Sequence, residues 1–295
     1  MKEGNMMATY SLQLSQENKN QVITYYDAYK VPVNNPNIIA KYKYHNITIL
    51  LYRSLKIVFQ GGDEEEVKTQ WNKWKPDMIL KEQINIIGSD ESGVGDFFGP
   101  LVVTACYIKE KDLALIKSLK IRDSKVLSTM QINIIAKQLI QQLEYSTIII
   151  NNRQYNKLYE TYQNSHILKT IGHHQVIRKL ANKVNCKKVI IDQFVNKKKY
   201  EEYLKILNVA DNDLKLSFAT HAEDKFLAVG CAAIISRYFF LKSIKQLEQE
   251  YSRIFPLGAS TIVDKAIAKI KQDGIEDKAI DFGKLHFINW KKVIK

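Results

Sequence analysis

Residues 88–100 read GSDESGVGDFFGP. Asp90, Glu91 and Asp96 lie there among four glycines and two phenylalanines. The apolar run at 84–87 ahead of it and the run at 101–108 behind it both read as buried strands. A strand that ends in two adjacent acids and runs into a glycine-rich turn fits a solvated hairpin, a phosphate cradle or half of a metal site. A dinucleotide or triphosphate cradle needs GxGxxG opening a helix, or a terminal GK[ST]. Here Gly93, Gly95 and Gly99 lead into a strand instead, which argues against that reading. An acid at a strand end is commonly just solvated, so no one of these carboxylates decides the matter.

Other acids recur in similar settings. Asp192 closes the apolar run KVIID, and Glu223 lies in THAED, between a candidate strand at 214–219 and a helix expected over 223–251. Carboxylates held close repel one another unless a cation joins them. Their hard oxygens suit Mg²⁺ or Mn²⁺, and a pair of such ions serves phosphodiester cleavage. The helix carries Ala228, Gly230, Cys231, Ala232 and Ala233 in one small-residue stretch. Such a face lies close against a sheet, which would bring Glu223 to the strand ends.

The 295 residues suffice for one large domain or two modest ones, with 45% hydrophobic and 25% charged residues. No apolar run reads as long enough for a membrane span, and the polar N-terminus lacks the apolar stretch of a secretory signal. A cytoplasmic, monomeric protein with no membrane partner is the expectation. Cys106, Cys186 and Cys231 are far apart and read as buried free thiols. With 44 Lys and Arg against 31 acids, the net charge of +13 suits a polyanionic partner.

Residues 1–75 have the order strand, helix, three strands, helix, and 76–81 read as a linker. The first helix is expected over 16–30, and Asp63 caps the second, whose first turn holds Glu64, Glu65 and Glu66. From 82 to 295, strands at 84–90, 100–108, 145–151, 188–192 and 214–219 are interspersed with helices at 129–143, 165–184, 223–251 and 264–272. Ser128 and Gln131 form a capping box for the first of these helices. The whole reads as an α/β fold: a mixed sheet flanked by helices, preceded by a small α+β domain.

SDESGVGDFFGPLVV at 89–103 resembles the first motif of the type 2 ribonucleases H, and GDFFGP is most similar to the ribonuclease HIII branch. In the family's order follow DSKVLS at 123–128, Tyr155-Asn156, a histidine at 173 or 174, IDQF at 191–194, THAEDKFLAVGCAAIISRY at 220–238, FPLGAS at 255–260 with Val263-Asp264, and KLHF at 284–287. The resemblance covers 82–295 and implies an RNase H-like fold. It also implies an endoribonuclease that cuts the RNA strand of RNA–DNA hybrids and leaves 3′-OH and 5′-phosphate ends. It implies four metal-binding catalytic acids, Asp90, Glu91, Asp192 and Glu223, holding two Mg²⁺ or Mn²⁺ ions. Gly93, Val94 and Gly95 would meet the ribose, Lys125 a phosphate, and Asp96 would be structural. Residues 1–75 resemble the half TATA-binding-protein domain of ribonucleases HIII, with Lys41, Lys43, Arg53 and Lys56 offered to the duplex. Val94 stands where type HII enzymes often have Arg, and Ser92, Phe97, His166 and Trp290 also depart from the usual pattern. The other readings are an HII-like enzyme that incises at single ribonucleotides, a hybrid-binding protein without catalysis, and a DNA nuclease or integrase on this type of fold.

Overall fold

The computed structural model describes residues 7–14, 16–74, 83–119, 121, 127–210 and 213–294. The chain forms two compact units, Met1–Glu82 and Gln83–Lys295. The linker expected at 76–81 lies outside the described residues, as does Lys125 with the start of its DSK motif.

The first unit runs β1 (Ala8–Gln13), α1 (Gln16–Tyr26), β2 (Lys30–Val31), β3 (Ile38–Tyr44), β4 (Ile47–Tyr52), β5 (Lys56–Gly61) and α2 (Glu64–Trp74). Its sheet is antiparallel throughout, in the order β1-β5-β4-β3-β2. Alternation decides the two faces. Tyr42, Ile47, Ile49, Leu51, Ile57 and Phe59 turn inward with Tyr26, Val67 and Trp74 of the helices. Residues of opposite parity pair as Lys41 with Leu50, Lys43 with Thr48 and Lys56 with Gln13, and they share the other face. The first helix is shorter than the expected 16–30. It gives way to a 3-10 turn at Asp27–Tyr29 and then to β2, which pairs with β3. Val31 precedes Pro32, which drives a residue out of helical geometry, and the free sheet edge accepts it. The expected Asp63 cap is present, accepting the Glu66 peptide N–H at 3.1 Å.

The second unit contains β6 (Ile86–Ser92), β7 (Leu101–Ile108), α3 (Leu113–Ser118), α4 (Thr129–Gln142), β8 (Glu144–Ile150), α5 (Asn152–Tyr162), α6 (Ser165–Val184), β9 (Lys188–Asp192), α7 (Lys197–Ile206) and β10 (Lys215–Ala219). It continues with α8 (Ala222–Lys225), α9 (Leu227–Tyr251), α10 (Thr261–Gln272), α11 (Ala279–Phe282) and α12 (Ile288–Ile294). The sheet order is β10-β9-β6-β7-β8, with β6, β7 and β8 antiparallel and β6, β9 and β10 parallel. Helices α9 and α6 cover opposite faces. A Cβ on Gly88 would lie 2.3 Å from the α9 backbone at Ala228 and Val229, while the next residue, Ser89, bonds His173 of α6. Gly172 plays the same part in α6, where a Cβ would stand 2.5 Å from Val103. The Ser128 and Gln131 capping box is formed, and all three cysteines are buried free thiols.

Two expectations are corrected here. The helix expected over 223–251 is two helices, because Phe226 is extended (φ −121°, ψ 118°) between α8 and α9. Buried Gln83 meets the peptide groups that this break exposes. It donates to Lys225 O at 2.9 Å and accepts from Leu227 N at 2.7 Å. The second correction concerns membrane spans: by length and apolar content α9 qualifies as one, and 61% of its most apolar window is buried within the protein. For α5 the sequence reading has only the resemblance of Tyr155-Asn156 to the family's middle helical region, and it leaves α7 unassigned. Both begin at an asparagine cap, Asn151 accepting from Gln154 N and Asn196 from Lys199 N, a signal visible in the sequence.

Candidate active site

Alternation along β6 sends its two acids to opposite faces. Asp90 follows the parity of Gly88 toward α9, and Glu91 follows that of Ser89 toward α6. Glu91 meets two buried side chains there. Lys169 Nζ donates to its Oε1 at 3.1 Å, and His173 Nε2 lies 2.9 Å from its Oε2. His173 Nδ1 sits 2.7 Å from Ser89 Oγ, which bonds Thr104 O of β7 at 3.0 Å. Burial would push the Glu91 carboxyl up, but the bonds and charges of His173 and Lys169 override it and pull it down to about 2. Glu91 is a fixed anion.

Asp90 is the opposite case. Burial pushes its carboxyl well above the usual carboxylate range, and the charges of Glu91, Asp192 and Glu223 push the same way. The Glu91 peptide N–H, donating at 2.7 Å, only partly offsets this. Asp192 ends β9, two strands' width from β7 and beside β6. Its Oδ1 accepts from Ala222 N, the first residue of α8, at 2.8 Å. Burial raises Asp192 as well, and Glu223 and Glu91 add to the rise against that one favourable bond. Glu223 follows in α8, held there by the Phe226 break and by Gly230, where a Cβ would come within 3.1 Å of Glu223 O. The structure therefore gathers Asp90, Glu91, Asp192 and Glu223 into one mutually repelling set. Near Glu223, possible ligand atoms of His221 and Asp224 lie within 4.8 Å of its own. Hard carboxylate oxygens that raise one another's proton affinity are the donor set a divalent cation suits.

The two glycines of the loop differ. Gly93 has φ +91°, and a Cβ there would strike Pro100 O at 2.2 Å and the Phe240 ring at 2.8 Å, so the fold itself demands glycine. Around Gly95 nothing lies within 4 Å of a Cβ. Val94 packs half-buried against the core that holds Leu101 and Tyr155. Asp96 stands apart from the acid set, its Oδ1 accepting Gly258 N at 2.6 Å. Beside the acids, a cleft of about 410 Å³ is lined by Asp90, Glu223, Ser92, Thr129 and Arg237 among others.

In the first unit, Lys41, Lys43 and Lys56 share the helix-free sheet face, with Lys43 Nζ bonded to Thr48 Oγ1 at 2.7 Å. Arg53 does not stand with them. It sits in the turn after β4 and its Nε donates to Pro36 O at 2.7 Å. Sequence reasoning missed Lys169, the role of His173, Gln83 and Ser89. The partners of an acid cannot be read from spacing when they lie about 80 residues away on another element, although Lys169 and His173 at i, i+4 on one helix were a usable hint.

The family model for ribonuclease HII matches residues 87–290, and a domain of unknown function (DUF3378) matches residues 9–82. The fold is that of a type 2 ribonuclease H, a metal-dependent enzyme family. The ribonuclease HIII of Bacillus thuringiensis subsp. konkukian is 35% identical, the match covering 86% of this chain and 87% of that protein, and that of Bacillus cereus matches equally. Among solved structures, Bst ribonuclease HIII in complex with Mn²⁺ is similar with a TM-score of 0.72 at 28% identity, covering 97% of this chain and 98% of that one. Ribonuclease H3 of Aquifex aeolicus follows with 0.58 at 26%, covering 94% and 99%. The chain belongs to the ribonuclease HIII family.

Proposed function

We propose that this protein hydrolyses the RNA strand of RNA–DNA hybrids, with Asp90, Glu91, Asp192 and Glu223 holding two Mg²⁺ or Mn²⁺ ions. The observation that carries this reading is the gathering of those four acids, three from strand β6 or β9 and one from α8, beside a loop whose Gly95 is open to approach. When bound, the ions lower the pKa of the attacking water and neutralise charge on the leaving oxygen. The chain's own groups do the rest. Lys169 and His173 keep Glu91 ionised and in one orientation, so this ligand needs no proton removed. Asp90 and Asp192, pushed toward protonation in isolation, release that strain when a cation arrives. Peptide groups at Gly93, Val94 and Gly95 would meet the 2′-OH that separates RNA from DNA, a reading supported by the open surroundings of Gly95. Lys41, Lys43 and Lys56 form one cationic face for the phosphate backbone, and the products carry 3′-OH and 5′-phosphate ends.

A labelled hybrid incubated with and without Mg²⁺ or Mn²⁺ tests this directly. Metal-dependent cutting of the RNA strand is expected, with a loss of at least about a hundredfold in Asp90→Asn. Wild type that leaves the hybrid intact, or equal cutting by the variant, would overturn the reading.

A further inference from the structure

Among the described residues, one buried lysine outside the acid set takes no part in the proposed chemistry. Lys284 is fully buried, and its Nζ donates to Asp96 O at 2.8 Å and Gly99 O at 2.5 Å. Both acceptors are backbone carbonyls of the arm that follows Gly93-Val94-Gly95. The same arm is gripped elsewhere by the C-terminal segment. Lys284 N donates to Phe97 O at 2.9 Å, Gly99 N to Phe282 O at 2.9 Å, and Phe97 N to Gly258 O at 3.0 Å. Asn152 Nδ2 adds a second donor to Gly99 O at 2.9 Å. The 94–95 tip differs: among the described residues neither Val94 nor Gly95 donates its peptide N–H within the protein. The arm is tied down at Asp96 O, at both peptide groups of Phe97 and at those of Gly99, whereas the tip's two peptide N–H groups donate to nothing among the described residues.

We infer that Lys284 is a positioning residue that pins the Asp96–Gly99 arm and thereby sets where the bare Val94–Gly95 tip stands relative to Asp90 and Glu91, so that discrimination of ribose from deoxyribose depends on a side chain that never reaches the substrate. This rests on the proposed hybrid activity. A lysine suits the task because its long chain reaches two carbonyls about 190 residues earlier in the chain while the nitrogen stays dry. Burial pushes its pKa down to about 7, against the pull of Asp96. A neutral amine still has two N–H donors for the two carbonyls, so the pin survives loss of the charge. A tip shifted by a fraction of an ångström keeps the metal acids but misplaces the contacts to the sugar.

The test compares full-length wild type, Lys284→Met and Asn152→Ala. Each is checked for folding by circular dichroism and for Mn²⁺ affinity by calorimetry. Each is then assayed for KM, kcat and affinity with an RNA–DNA hybrid and with a DNA duplex of the same sequence. Lys284→Met is expected to bind Mn²⁺ within about twofold of wild type and to lose about tenfold in its hybrid-over-DNA affinity ratio, with KM raised more than kcat is lowered. Asn152→Ala removes a weaker pin on the same carbonyl and is expected to shift the ratio in the same direction by less. An unchanged ratio in folded Lys284→Met overturns the inference, whatever its stability. If that variant does not fold, an unchanged ratio in Asn152→Ala overturns it instead. A wild type with no preference for the hybrid would refute the proposed function, which a changed variant ratio alone would not.

Discussion

At the residue scale, the four acids are held in unequal electrostatic states. Glu91 is compensated by Lys169 and His173, whereas Asp90 and Asp192 are raised by burial and by one another. A carboxyl raised in the folded state contributes stability below its unfolded pKa and loses it as pH rises through the folded value. Metal-free Asp90→Asn is therefore expected to melt roughly 2–6 °C above wild type at neutral pH, with the gain vanishing in acid. Mn²⁺ should raise the wild-type melting temperature more than the variant's. A lower-melting Asp90→Asn would contradict this account. Glu91 runs the other way, its stabilisation complete above its ordinary value of 4.5 and lost as pH falls towards about 2. Lys284 shares the sign of Glu91, in a higher pH window. Between about 7 and its ordinary 10.5 the unfolded chain binds the extra proton, so stability rises with pH. The melting-temperature gap between wild type and Lys284→Met should widen from pH 7 to pH 10. Two departures from the family pattern explain each other at this scale: Phe97 and Trp290 stack at 6.1 Å with their rings 16° apart.

At the element scale, the site depends on how closely α9 lies on β6. The small-residue face of α9 was legible in the sequence, but its counterpart was not. Gly88 reads as an unexplained glycine within the strand expected over 84–90 until the structure shows the α9 backbone where its Cβ would be. Gly88→Ala puts an atom at 2.3 Å from main chain that cannot step aside. A destabilisation of about 1–3 kcal/mol or more is expected in denaturant melts, with weakened Mn²⁺ binding in whatever folds. Near-wild-type stability would show that α9 slides freely. The break at Phe226 escaped the sequence reading because local propensity favours one continuous helix. Gln83 and the Asp192 bond to Ala222 N, both tertiary, decide against it.

At the whole-molecule scale, the chain divides into Met1–Glu82 and Gln83–Lys295, each with its own core. The acids belong entirely to the second unit, and the Lys41, Lys43 and Lys56 face to the first. Their contributions should be separable. Replacing those three lysines with glutamine is expected to leave kcat within about twofold and to weaken hybrid binding. The slope of log affinity against log salt should become shallower by about 2–3, as three phosphate contacts imply. An unchanged salt slope would remove that face from the substrate path. Arg53, engaged with Pro36 O, is expected to contribute less than any of the three.

The sequence by itself determined the class of fold, the order of the strands along the chain and the candidate acids, while the structural standing of Asp96 came from the family resemblance. Fold class and strand order follow from period and capping, and the resemblance from motif order, which are local or linear properties. The tertiary structure alone decided which glycine serves packing and which stands open, which side chains hold Glu91, where the helix expected over 223–251 breaks, and that Lys284 grips the loop after Gly95. Each of those depends on atoms brought within a few ångströms by chain segments tens to hundreds of residues apart. A linear pattern carries no distance between such segments until the sheet and its two covering helices are packed.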